Sequence, residues 1–552
     1  MPQQMEYQSL ATFVAPVSPQ HANVEAAPVT PSSSWQELRL AIVLVSALTL
    51  FALAVNGYHP YAEDGGLYLA GVKRLLDPAL YPHSTAFVME PTRLSLFALA
   101  VATMVRFSHL GLAAVLLSFH LITIWATLFA AWLLASRCWD TRPARAGPVA
   151  LLACWLALPV AGTALVLMDP YLTARSISTP CMVLALVGAL DFTESHWRST
   201  RNSRRRGLSL WIASLVLAAA IHPLMAAYAF GATLMLVCLR SSNPYIRRWA
   251  TPALSATALV MGAVIQHAAR SENEDYRRIT LTRTYWFPAA WSWYELIGLA
   301  APLIIIAIFA WQKSPARPSP VSIPANNAGR ALAKMALSAG TTAWMVAMLF
   351  SRAGSDTHMV ARMQPLRVFQ IVYLVMVLAL GATLGQYVFR GSAWRSLAAM
   401  LLLGGTIFAA GRSAFPHSQH IEFPWTATQN PWVRAFLWIR DNTPKDSLFA
   451  LDADYINAHG EDAQCFRAIA ERSSLPDYSK DGGEASIAPD LTAQWKIGQQ
   501  AQQHLNASTT TDSMRRANLR SLGVTWLVLD ARALTSFDCP YTNSEVKVCR
   551  LP

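Results

Sequence analysis

Long apolar runs broken by short polar connections dominate the chain between residues 38 and 410. Eleven such runs, 14 to 27 residues long, cover 38–58, 110–136, 149–168, 176–190, 208–221, 224–239, 253–269, 296–311, 331–350, 366–388 and 397–410. A straight helical crossing of a bilayer needs about 20 apolar residues. The pattern therefore predicts a polytopic α-helical membrane protein with about eleven transmembrane helices. The two runs flanking His222-Pro223 are short, which predicts either two short crossings or two helices that dip towards a cavity. Two further segments, 67–76 and 94–107, are apolar but edged by Lys73, Arg74, Arg106 and His109. They are expected to lie on the bilayer as interfacial helices of a first loop, 57–109.

The pattern changes at both ends. Beyond 413, β-rich runs at 447–451 and 524–530 alternate with helical periodicity at 431–441 and 491–505. This predicts a C-terminal α/β domain over 414–552, after a membrane domain over 37–413. Residues 1–36 are rich in Pro, Ser, Gln and Ala without apolar periodicity, and are expected to be disordered. Overall 54% of the 552 residues are hydrophobic and 14% are charged, which excludes an ordinary soluble enzyme.

Charge adds orientation. Lys and Arg gather in alternate connections: Arg137, Arg142 and Arg145; Arg198, Arg201 and Arg204 to Arg206; Arg240, Arg247 and Arg248; Lys313, Arg317, Arg330 and Lys334; Arg390 and Arg395. Positive connections stay cytoplasmic. The N-terminus is then expected in the cytoplasm and the C-terminal domain outside. The net charge of +12 is topological on this reading and implies no nucleic-acid partner. Cys539 and Cys549 flank 540–548 in the external part and are expected to form a disulfide in an oxidising compartment. No Cys/His spacing of the metal-binding type is present.

Candidate chemistry concentrates at loop edges. Glu63 and Asp64 stand just beyond the first run. Asp64, before Gly65-Gly66 and a helical stretch, reads either as an N-cap with Glu63 favoured by the helix dipole, or as a base for proton transfer. Asp169-Pro170 has the same cap-like form. Arg175 and Arg367 lie near the outer ends of runs, where an Arg in lipid would cost roughly 2.5–3.5 kcal/mol. They are expected either to bind an anion or to reach headgroups. His222 sits at the helix break, Arg283 and Tyr285 in an external segment that is either an aromatic-belt anchor or a pocket wall, and Gln364 in a Gln-Pro-Leu-Arg patch. Glu471, Arg472 and Asp477 are expected on the solvated surface.

A first span followed by an acidic pair, a long loop with interfacial helices, about eleven spans and an external α/β domain resemble the GT-C superfamily of membrane glycosyltransferases. Protein O-mannosyltransferases, aminoarabinose transferases and oligosaccharyltransferases belong to it. A second similarity is to bacterial multi-pass membrane proteins with the patches His222-Pro223-Leu224, Gln364-Pro365-Leu366-Arg367 and Thr173-Ala174-Arg175-Ser176; it names no substrate. The GT-C resemblance implies transfer of a sugar from a polyprenyl-phosphate-linked donor to an acceptor that the sequence does not identify, at the outer face of a bacterial inner membrane. It further implies that Asp64, assisted by Glu63, is the base, that Arg175 and Arg367 bind the donor phosphate, and that Asp169, His222, Arg283, Tyr285 and Gln364 line the pocket. A divalent metal ion, if the enzyme uses one, would fall to Asp64 and Asp169. The sequence lacks the Trp-Trp-Asp signature of oligosaccharyltransferases. Two other classes stay open: a transporter or flippase of a lipid-linked or small anionic substrate, and a non-catalytic scaffold in envelope assembly.

Overall fold

A computed structural model describes residues 32–194, 201–311 and 326–552. The expected disorder of 1–36 concerns mostly residues outside this set, as do Arg198, Lys313 and Arg317; of Arg201 only the backbone is described. Among the described residues, eight helices are long and apolar enough to cross a membrane: Trp35–Asn56, Leu112–Cys138, Ala174–Phe192, Pro244–Ala268, Trp293–Trp311, Asn327–Phe350, Met359–Phe389 and Ala393–Ala414. The protein is a multi-pass helical membrane protein with a C-terminal α/β region.

Three of the eleven predicted runs do not give a helix that meets this criterion. The run 149–168 is split: a helix, Arg142–Cys154, is followed by a short hairpin pairing Pro159–Val160 with Leu165–Val166. Pro159 offers no N–H to continue a helix, and Gly162 turns the chain at φ +65°. Around His222 the backbone does form two helices, Arg201–Ile221 and Pro223–Leu239, with Pro223 at the first helical position. The first is Arg-rich at its start, and the second is a 17-residue helix.

The membrane helices pack closely enough for backbones to touch. A Cβ on Gly147 would fall 2.1 Å from the Gly381 carbonyl oxygen, so the helices Arg142–Cys154 and Phe369–Leu384 meet only because both positions lack side chains. In the first loop, Glu63–Leu76 forms one helix, and Thr85–Thr92 meets Phe97–Ser108 at 93°. Leu94, Leu99 and Phe107 are exposed there, an apolar face suited to a bilayer surface.

The C-terminal sheet is mixed, in the order Ser473–Ser474, Leu448–Ala450, Trp526–Asp530, Val546–Arg550, Tyr541–Thr542; the first three strands are parallel and the last two pair antiparallel. Its aromatic core, including Phe436, Phe449 and Phe466, sits against Pro431–Asn442. This region is sewn to the first loop. Tyr58 bridges Ile421, Ala62 bridges Gln464, Lys73 pairs with Glu471 at 2.7 Å, and Tyr81 donates to the Arg467 carbonyl at 2.9 Å. Glu471, Arg472 and Asp477 are thus not free surface. Arg472 and Asp477 are buried within the C-terminal region itself: Arg472 donates to the Arg440 and Thr443 carbonyls, and Asp477 accepts from the Lys480 backbone N–H while Trp495 Nε1 donates to its carbonyl.

Cys539 and Cys549 are bonded, closing a ten-residue separation beside the Tyr541–Thr542 and Val546–Arg550 strands. Unreduced peptide mass spectrometry should recover the linked pair from protein isolated in its own membrane, and reduction should remove roughly 2–3 kcal/mol of stability. Free thiols at both positions would remove the bridge. The charge asymmetry predicts that Ser203 and Ser447 face opposite sides of the membrane. Cysteine-accessibility labelling should modify each from one side only, and from different sides.

Candidate active site

Glu63 opens the helix Glu63–Leu76 in a left-handed backbone conformation, φ 51°. For a residue with a side chain this costs about 1–2 kcal/mol. The C-terminal region holds it there: the Glu63 N–H donates to the Ala463 carbonyl at 2.8 Å, the Cys465 N–H to the Tyr61 carbonyl at 3.0 Å, and the Cys465 thiol to the Glu63 carbonyl at 3.2 Å. Contact is tight enough that a Cβ on Gly66 would lie 2.3 Å from the Cys465 Cβ, which accounts for the glycine after Asp64-Gly65.

Neither acidic residue caps this helix. The N-cap position is Ala62, and Asp64 lies inside the first turn. Its carboxylate instead accepts from two cations, Lys480 Nζ on Oδ1 at 3.2 Å and Arg175 Nη2 on Oδ2 at 3.1 Å. Lys480 also pairs with Glu63. Asp169 is not an N-cap either, since the helix Ala174–Phe192 begins after Thr173. It is buried and gripped by Arg175, whose Nε and Nη2 reach its oxygens at 3.0 to 3.2 Å, while Thr173 Oγ1 adds a bond at 3.1 Å. Three carboxylates and two cations thus form one connected cluster.

This arrangement fixes charge states. Burial disfavours the Asp64 anion, but Lys480 and Arg175 outweigh it and hold the carboxyl well below the usual range. Burial likewise opposes the Lys480 ammonium, yet Asp64 and Glu63 raise its pKa. One turn along the same helix, Glu484 behaves differently. Burial, then the carboxylates of Asp481, Glu90 and Asp64, push it up to about 8.

The cluster forms part of the wall of a cavity of about 920 Å³ between the helical part and the C-terminal region. Glu63, Asp64, Asp169, Arg175, His222, Arg283, Tyr285, Gln364 and Arg367 all line it. Their local roles differ. Arg283 and the neighbouring Trp286 are buried, so this segment is not an aromatic-belt anchor; Arg283 donates to the Tyr478 and Ser479 carbonyls at 3.0 and 2.7 Å. His222 occupies the N-cap position of Pro223–Leu239 without a side-chain cap bond. Gln364 is, like Glu63 and Ala164, a left-handed residue of the cavity wall, φ 51°, and accepts from Arg367 Nε at 2.6 Å. Among the described residues no carboxylate pairs with Arg367, which lines the cavity and whose terminal guanidinium nitrogens make no hydrogen bond to them. Leu94, Ile221, Leu224, Ile407 and Ala410 supply an apolar wall.

Sequence reasoning missed Lys480, Glu484, Arg362 and Glu90, which line the same cavity. Lys480 and Glu484 are four apart on the helix Lys480–Ile487 and so share a face, but nothing local in that polar stretch marks either as a site residue. Arg362 donates to Tyr276 Oη at 3.1 Å.

The donor set does not suit a divalent metal. Both Asp64 oxygens and both Asp169 oxygens are bound by Arg175 or Lys480, and among the described residues no group of three or more His, Cys, Asp or Glu side chains has metal-binding geometry.

No family model matches the chain, and no curated protein matches it in sequence. Among solved structures, the chain is similar to the oligosaccharyltransferase AglB of Archaeoglobus fulgidus, solved with an inhibitory peptide and a dolichol-phosphate, at 13% identity and TM-score 0.41, over 90% of this chain and 70% of that one. It is similar to the arabinofuranosyltransferase AftD from Mycobacteria at 14% identity and TM-score 0.47, over 94% of this chain but 41% of that one. The apo form of the Archaeoglobus fulgidus oligosaccharyltransferase gives 11% identity and TM-score 0.42, over 90% and 70%.

Proposed function

We propose that this protein is a membrane glycosyltransferase that moves a sugar from a polyprenyl-phosphate-linked donor to an acceptor at the outer face of a bacterial inner membrane. One observation carries the reading: a carboxylate pair, an arginine without a carboxylate partner and an apolar wall converge on a single cavity. Sugar transfer from a lipid phosphate uses all three, the carboxylate for the acceptor proton. Its tail suits the apolar side formed by Leu94, Ile221, Leu224 and Ile407, and its phosphate suits the free fork of Arg367.

The acceptor hydroxyl attacks the anomeric carbon, forming a new C–O bond. The bond from that carbon to the phosphate oxygen breaks, and its electron pair leaves with the lipid phosphate. Arg367 and the Arg175–Lys480 side of the cluster stabilise that developing charge. The hydroxyl proton goes to Asp64, which lines the cavity. Asp169 holds Arg175 in place, and Glu63 shares Lys480.

The test uses the purified full chain in vesicles with polyprenyl-phosphate sugars. Release of sugar-free polyprenyl phosphate, tied to a glycosylated acceptor, is the expected result. Movement of intact donor between leaflets without release would instead make the protein a flippase.

A further inference from the structure

We propose that the carboxylate cluster is served by the chain's own cations, Lys480 foremost, and that no divalent metal takes part at Glu63 and Asp64. The mechanistic half of this inference rests on the glycosyltransferase reading; the binding half does not.

The argument is one of occupied ligands. A hard divalent cation at this place would need carboxylate oxygens from Asp64 and Asp169. Asp64 Oδ1 faces Lys480 Nζ at 3.2 Å and Oδ2 faces Arg175 Nη2 at 3.1 Å. Both oxygens of Asp169 lie at 3.0 to 3.1 Å from the same Arg175 nitrogen. Glu63, the remaining acid, is paired with Lys480. A metal would have to displace a guanidinium whose pair with Asp169 is buried, and an ammonium that bridges two carboxylates.

Lys480 is placed for this by more than chance contact. Its helix is fixed against the helical part from several sides: Tyr276 Oη donates to the Ser486 carbonyl at 2.7 Å, and Arg283 holds the carbonyls of Tyr478 and Ser479 immediately before it. Asp477 Oδ1 accepts from the Lys480 backbone N–H at 2.6 Å. The C-terminal region thus delivers one positive charge to the acid pair of the first loop. In the transfer step the electron pair leaves with the lipid phosphate, beside Arg367, and the acceptor proton goes to Asp64, whose charge Lys480 balances. Lys480 acts here as a positioning and charge-balancing residue.

Manganese binding to the EDTA-washed full chain, read by electron paramagnetic resonance without substrate, tests the inference apart from any activity. The wild type is expected to bind no Mn²⁺ at the cluster in the micromolar range, and EDTA should leave transfer unchanged. Lys480→Gln exposes Glu63 and Asp64, and is expected to tighten Mn²⁺ binding at least tenfold and to lower transfer by about 100-fold. Lys480→Arg keeps the charge and should behave like the wild type towards Mn²⁺, with transfer within about tenfold. Two results would overturn the proposal: wild-type Mn²⁺ binding that Asp64→Asn abolishes, or a Lys480→Gln protein equal to the wild type in both Mn²⁺ binding and transfer. If transfer is never detected, the binding comparison still decides the metal half, and the glycosyltransferase reading fails separately.

Discussion

Asp64→Asn is expected to lower sugar transfer by about 100-fold or more while the protein still inserts and folds. A base that takes the acceptor proton contributes roughly 10²–10⁴-fold, and an amide of the same shape cannot do so. The fold should survive for stated reasons. No helix cap is lost, because the cap position is Ala62. Arg175 keeps its contacts to Asp169, and Lys480 keeps Glu63. Glu63→Gln should cost less, since Glu63 touches the cluster only through Lys480. The pH dependence offers a second check. Despite burial, Lys480 and Arg175 keep Asp64 ionised far below neutrality, so lowering the pH from 7 to 5 should not silence this base. Glu484, pushed up to about 8 by burial and by Asp481, Glu90 and Asp64, is the cavity carboxyl expected to titrate near neutrality and above. Turnover would be followed with a labelled donor, and folding by thermal melting in detergent. Unchanged turnover in the Asn variant would end the assignment of Asp64.

What the sequence made legible, and what it hid, follows from the range of the interactions. Spans such as Leu112–Cys138 and Ala174–Phe192 could be read because apolar length is a local property. The run 149–168 gives no span for the same reason: hydropathy does not register that Pro159 and Gly162 turn the chain into a hairpin, part of which lines the cavity. The acid pair was visible as two adjacent carboxylates after a span. Its partners were not, because Lys480 is 417 positions from Glu63 and 416 from Asp64, and no local pattern marks a lysine on a short polar helix as a ligand of either. The capping readings of Asp64 and Asp169 were sound locally, but cations from other segments took both carboxylates. Arg472 and Asp477 were placed on the surface because charged residues in a polar stretch usually are. Neighbours elsewhere in the C-terminal region, Arg440 and Thr443 for the one and Lys480 and Trp495 for the other, bury them instead.

Arg175 and Arg367 looked equivalent in sequence, and their surroundings predict opposite outcomes for the same substitution. Arg175→Leu should destabilise the protein by about 3–5 kcal/mol, because it leaves Asp169 buried without its counter-charge. Arg175→Lys should recover part of that loss, since a point charge replaces a fork that reaches Asp169 through two nitrogens and Asp64 through one. Arg367→Leu should leave the melting temperature nearly unchanged, because it breaks one bond to Gln364 and no ion pair among the described residues. Its effect should fall on the lipid phosphate. Charge-assisted bonds contribute about 1.5–3 kcal/mol, so affinity for polyprenyl phosphate should weaken by roughly 10- to 150-fold. Calorimetric melting and titration with polyprenyl phosphate, run on both leucine variants, separate the two roles. An Arg367→Leu protein that melts as early as Arg175→Leu would make Arg367 structural. One that binds the lipid phosphate as tightly as the wild type would remove it from the donor site, and with it the reason for placing the phosphate on that side of the cavity.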